Sequence, residues 1–157
     1  MAMPMARPRT EHDFLERLVG TWDVTSDMTG DRPWVEVVRS LHGIWYLAEA
    51  SGALPGGGQA TTVLSLGFDA GKGRYVGTWL GSMMDYLWFY EGEVEPDGRT
   101  LSLYTTGPAC AGEGMADYRE QITLLDDDVR VFRSSIRQPD GTWRPFMQAD
   151  YRRRAVA

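Results

Sequence analysis

From Trp22 to Arg153 the sequence reads as ten β-strand segments joined by connections too short to hold a crossover helix. The segments are Trp22–Asp27, Trp34–His42, Ile44–Ser51, Thr61–Asp69, Arg74–Leu80, Tyr86–Glu95, Thr100–Thr106, Ala116–Leu125, Val129–Arg137 and Trp143–Arg153. Val, Ile, Thr and aromatic residues crowd them, and turns such as Pro96-Asp97-Gly98 and Pro139-Asp140-Gly141 separate them. Parallel neighbours need long crossovers, so these strands must pair antiparallel as a meander. An open sheet of this size leaves two bare edges, and closing it removes both. The expected fold is all-β: an antiparallel meander barrel of about ten strands.

One helix precedes the strands. Thr10 is a candidate N-cap, Glu11 and Asp13 suit the positive end of a helix dipole, and Gly20 ends the run. Phe14, Leu15 and Leu18 form a narrow apolar stripe. His12 is expected on the exposed side. A helix this short is unstable alone, so Thr10–Val19 must dock on the barrel. Residues 1–9 are expected to be a disordered tail, and residues 10–157 a single domain.

The densest stretch is Val76 to Gly92, two strands meeting at a turn through Gly81, Ser82, Met83 and Met84. Strand side chains alternate, so Tyr75, Gly77 and Trp79 share one face, as do Tyr86, Trp88 and Tyr90. Glu91, Glu93 and Glu95 occupy the opposite face and belong in water, which turns the aromatic face inward. These rings either fill a core or line a cavity. Gly77 and Gly81 are expected to leave volume there.

A meander sends successive turns to alternate ends. The turns at His42-Gly43, Asp69 to Gly73, Glu95 to Gly98 and Asp126 to Asp128 are tight and mostly charged. Those at Met28 to Pro33, Gly52 to Ala60, Gly81 to Met84, Gly107 to Gly114 and Pro139 to Gly141 are mostly longer and rich in Gly and Pro. One end reads as closed and the other as a mouth, where barrel ligands enter. Met83, Met84 and Ser82 then fall at the rim.

Charge narrows the partners. The formal net charge is -6, and nucleic acid or an anionic membrane needs a basic surface. Cys110 is the only cysteine, so no internal disulfide forms and a reducing cytoplasm is expected. The expected partner is a small molecule, with the chain a monomer or homodimer.

Two resemblances follow from these residues. A short helix followed by Gly20-Thr21-Trp22 at the first strand resembles the Gly-x-Trp signature of lipocalins and the wider calycin barrels. That resemblance implies a Trp plugging the closed end beneath a basic residue of the last strand. The inward face there reads Trp143, Met147, Ala149, Tyr151 and Arg153, making Arg153 the residue over Trp22. The run Val76-Gly77-Thr78-Trp79-Leu80-Gly81-Ser82-Met83-Met84, followed by Leu87-Trp88-Phe89-Tyr90-Glu91-Gly92, resembles the bacterial domain-of-unknown-function family numbered 1579. Leu66-Gly67-Phe68-Asp69, Gly107-Pro108 and Tyr118-Arg119 fit it as well. The resemblance implies a calycin-like barrel and supplies no catalytic residue.

The candidates for chemistry are few. His12 and His42 lack metal spacing, and a haem barrel would need one of them at the cavity. No metal or cofactor is expected. Ser82 has no nucleophile elbow around it and reads better as a turn hydroxyl or a ligand contact. Cys110 reads as a plain loop thiol. Buried charge is the stronger clue. Arg39 shares a face with Val35, Val37 and Leu41; Glu49 with Trp45 and Leu47; Glu120 with Tyr118, Ile122 and Leu124. A buried Arg needs a partner, so Arg39 with a carboxylate inside the barrel forms either a structural ion pair or a polar handle for a ligand. The expected ligand contacts are Trp79, Ser82, Met83, Met84, Trp88, Tyr90, Tyr118, Arg39, Glu49, Glu120 and Met147. The function expected is binding of a small apolar or aromatic molecule. The alternatives are a cyclase or isomerase using the same cavity, and a haem or gas-binding barrel.

Overall fold

Alternation and turn chemistry produce ten strands, and their ends meet. The computed structural model describes residues 2–155. Helix α1 (His12–Glu16) leads into β1 (Gly20–Ser26), β2 (Trp34–Leu41), β3 (Trp45–Ala53), β4 (Gln59–Asp69) and β5 (Arg74–Gly81). Then follow β6 (Trp88–Val94), β7 (Thr100–Pro108), β8 (Met115–Leu124), β9 (Val129–Arg137) and β10 (Trp143–Arg153). Each strand pairs antiparallel with its sequence neighbour, and β10 returns to β1 from Trp22↔Arg153 to Ser26↔Ala149, closing the barrel.

The closed end is a packed core. Phe14, Leu15 and Leu18 of the helical segment are buried with Trp22, Tyr46, Tyr75, Leu101 and Leu124. Two phenols tie the helix down: Tyr75 donates to the Glu11 carbonyl at 2.7 Å, and Tyr46 donates to Glu16 Oε2 at 2.6 Å. The helix is shorter than Thr10–Val19, and Thr10 does not cap it with its side chain. The Thr10 carbonyl instead accepts the Asp13 N–H at 3.0 Å. His12 is buried, not exposed: its Nδ1 accepts the Arg9 N–H at 2.9 Å and its ring meets the edge of Phe68. His12 stands one turn before Leu15, at the edge of the apolar stripe, where Phe68 and the segment at Arg9 cover it.

Trp22 plugs this end, and Arg153 covers it with its guanidinium carbon 4.3 Å from the ring centroid. The same guanidinium donates to the carbonyls of Val19, Arg17 and Asp127. Arg153→Ala should therefore lower stability by about 2 kcal/mol without changing ligand affinity. Denaturant titration of the variant checks this, and an unmoved midpoint would mean that the stack contributes nothing.

Three inward faces differ from expectation. In β2 the inward residues are Trp34, Glu36 and Val38; in β3 they are Tyr46, Ala48 and Ala50. Arg39 and Glu49 are exposed on the outer wall. Both faces of these strands are largely apolar, with Val37, Leu41 and Trp45 outside, so alternation alone cannot choose between them. In β10 a bulge between Pro145 and Met147 turns Trp143 outward, where it meets Tyr104 and the Arg119 guanidinium. Gly77 and Gly81 do not leave empty space. A Cβ on Gly77 would strike the Ser65 carbonyl of β4, and the place beside Gly81 is taken by Met83 and the Trp79 ring.

Candidate functional site

Above the plug the barrel is not filled. A cavity of about 320 Å3 runs from the Trp22 layer to the mouth and reaches solvent beside Met28, Met83 and Met84. That volume exceeds the water-sized voids of a packed core and falls in the range of small-molecule sites.

Aromatic rings form its walls. Trp79 of β5 and Trp88 of β6 are direct cross-strand partners, with Tyr90 two residues further along β6. Trp88 makes an edge contact with Tyr118 at 5.4 Å, and Tyr118 another with Phe146 at 6.0 Å. Glycine makes room for two of these rings. A Cβ on Gly107 would meet the Trp88 ring, and one on Gly52 would meet Trp34, whose Nε1–H donates to the Ala53 carbonyl at 3.0 Å. The indole Nε1–H of Trp88 points to Met84 Sδ at 3.2 Å, tying the rim to the wall.

The polar groups are sparse and specific. Arg130 of β9 and Glu36 of β2 form a buried ion pair across the interior. The Arg130 guanidinium carbon lies 4.5 Å from the Trp22 centroid and 3.9 Å from that of Tyr151. Trp22 thus has two guanidinium groups against its ring, those of Arg153 and Arg130. Glu120 of β8 stands apart from this pair. Its carboxylate accepts the hydroxyl of Ser134, its cross-strand partner on β9. Burial raises its pKa from 4.5 to about 7, against the smaller opposing pull of the Ser134 hydrogen bond. Burial, with the Glu120 charge adding to it, likewise pushes the Tyr90 phenol well above its usual range.

This shift makes stability depend on pH. Folding raises the Glu120 pKa, so between 4.5 and about 7 the native state holds more protons than the unfolded chain. The Glu120 contribution is favourable below that window and is lost as pH rises through it. Wild type should therefore lose ~3 kcal/mol relative to Glu120→Gln between pH 4 and pH 8. Parallel denaturation curves that stay a constant distance apart would contradict this.

The residues named from sequence divide clearly. Trp79, Met83, Met84, Trp88, Tyr90, Tyr118, Glu120 and Met147 line the cavity. The Tyr118 hydroxyl is already engaged, donating to the Pro108 carbonyl at 2.7 Å and accepting the Cys110 N–H at 3.0 Å. It pins the β7–β8 loop at the mouth. Ser82 lies outside the lining, and its Oγ accepts the Thr61 N–H at 3.0 Å. Arg39 and Glu49 are on the outer wall and cannot reach the cavity. Neither His12 nor His42 lines it. Among the described residues no three His, Cys, Asp or Glu side chains cluster as metal ligands would. Sequence reasoning missed Glu36, Arg130, Ser134 and Trp34. Nothing local marks Glu36 as inward, because Val35-Val37-Arg39 alternates as well as Trp34-Glu36-Val38.

The comparisons with known proteins bear on family and fold. A family model described as "Protein of unknown function (DUF1579)" matches residues 7–153. No curated protein matches the chain. Among solved structures, the S-type phycobiliprotein lyase CPES from Guillardia theta is similar, with a TM-score of 0.52 and 17% identity. The match covers 96% of this chain and 100% of that one, and at this identity the likeness is one of fold.

Proposed function

The chain belongs to the DUF1579 family, and from its cavity we propose that it binds a small, largely apolar molecule carrying one polar handle. The observation that carries this reading is the cavity itself: about 320 Å3 of space walled by aromatic rings and open at a methionine rim. A barrel built only for stability would fill that space, because each void forfeits contacts. Methionine is unbranched and polarizable, so the Met28, Met83 and Met84 rim adapts to different apolar shapes. The fold likeness to a protein named as a phycobiliprotein lyase is in keeping with a barrel that handles a small molecule.

The reading places the protein in the cytoplasm as a monomer or homodimer. Its partner is a small molecule, not nucleic acid or a membrane surface. No helix among the described residues is long and apolar enough to cross a membrane. The test is a titration with N-phenyl-1-naphthylamine, whose emission rises in apolar surroundings. A saturable rise with one site per chain is expected. A linear, unsaturable response would count against the cavity as a site.

One observation favours a second reading. Glu120 sits buried with a pKa near neutrality, as an acid or base of an isomerase or cyclase would. Recovering a bound ligand chemically unchanged after prolonged incubation would set that reading aside.

A further inference from the structure

The reading of the cavity as a ligand site is the premise here, and the charge inside the cavity names the ligand's chemistry. Glu120 is only 8% exposed, yet no cation among the described residues pairs with it. The groups that face it are the Ser134 hydroxyl on β9, Leu103 on β7, and the Tyr90 and Tyr118 phenols. All four are neutral. Among the described residues the one cation lining the cavity, Arg130, is paired with Glu36 and lies over Trp22 and Tyr151. The interior charges therefore balance except for one carboxylate. The same cavity is lined by Trp79, Trp88 and Tyr90, aromatic rings of the kind that attract a cation.

We propose that the ligand is an organic cation, an amine or protonated nitrogen heterocycle on an apolar body, whose charged nitrogen pairs with Glu120. An anionic ligand finds no uncompensated positive charge, because Arg130 is already paired with Glu36. A neutral ligand leaves the ionised carboxylate without its countercharge, which is costly in a desolvated site. The cation supplies both the missing charge and a surface for the rings.

Three probes test this by calorimetric titration: 1-naphthylmethylamine and 1-naphthylmethanol, which match in size and shape, and the slightly larger anion 1-naphthaleneacetate. At pH 8 the amine should bind at least about tenfold more tightly than the alcohol, and the acetate most weakly. At pH 6 the amine should bind more weakly than at pH 8 and release a proton, read from buffers of different ionisation enthalpy. Glu120→Gln should remove the difference between amine and alcohol. Glu49→Gln, on the outer wall, should leave the order of the three intact. If the alcohol or the acetate binds as tightly as the amine, or if Glu120→Gln keeps the preference for the amine, the cation inference is wrong while the binding function stands. If none of the three binds, both fall.

Discussion

Arg130→Leu should cost about 3–5 kcal/mol of folding stability. Arg130 is 3% exposed and Glu36 6%, and they form a buried ion pair. Removing the guanidinium strands the Glu36 carboxylate in a desolvated wall, and that uncompensated charge dominates the cost. Loss of the contacts with Trp22 and Tyr151 adds to it. The double variant Glu36→Leu/Arg130→Leu should recover most of the loss, because replacing both partners by apolar groups removes the stranded charge. Denaturant titration of both variants makes the comparison. A double variant no more stable than Arg130→Leu would show that stacking, not charge compensation, is what Arg130 supplies.

Ala149→Phe should weaken binding of the apolar dye on the order of a hundredfold while costing less than about 1 kcal/mol of stability. Ala149 is buried on β10 between Met147 and Tyr151, on the cavity wall. A phenyl group there occupies the space that the ligand needs and gains contacts with Val24, Trp34 and Ala50. Were the interior already full, the added ring would overpack it and cost ~1–3 kcal/mol instead. Dye titration and denaturation of one variant thus separate an empty cavity from a packed core. Gly77→Leu cannot make that distinction, because its side chain would collide with the backbone of β4 whatever the cavity holds.

How far the sequence speaks can be judged residue by residue. The strands were legible because β-rich runs alternate with strong turn residues, and closure followed from the cost of bare edges. Trp88, Tyr90, Tyr118 and Glu120 are legible as inward because the other face of β6 and of β8 is plainly more polar, and Trp79 because β5 faces the aromatic side of β6. Arg39 and Glu49 were misplaced for the opposite reason. Strands β2 and β3 carry apolar residues on both faces, and each face of β2 also carries one charge, Glu36 inside and Arg39 outside. What decides the matter is Arg130, 94 residues later, and no local pattern reports so distant a partner. The β10 bulge was invisible for a similar reason: one extra residue shifts the phase without altering the composition. His12 reads as exposed because it flanks the apolar stripe, but Phe68 of β4 and the segment before the helix cover it, and no helical pattern reports those neighbours.

The central claim is that the barrel interior is a ligand site. Native mass spectrometry of the protein recovered from cells that make it naturally tests this most directly, with Ala149→Phe recovered in parallel. Wild type should carry a non-covalent small-molecule adduct, at most one per chain, that leaves at raised collision energy. The cavity-filled variant should show the bare chain. Bare chain in both, or the same adduct on both, would contradict the account.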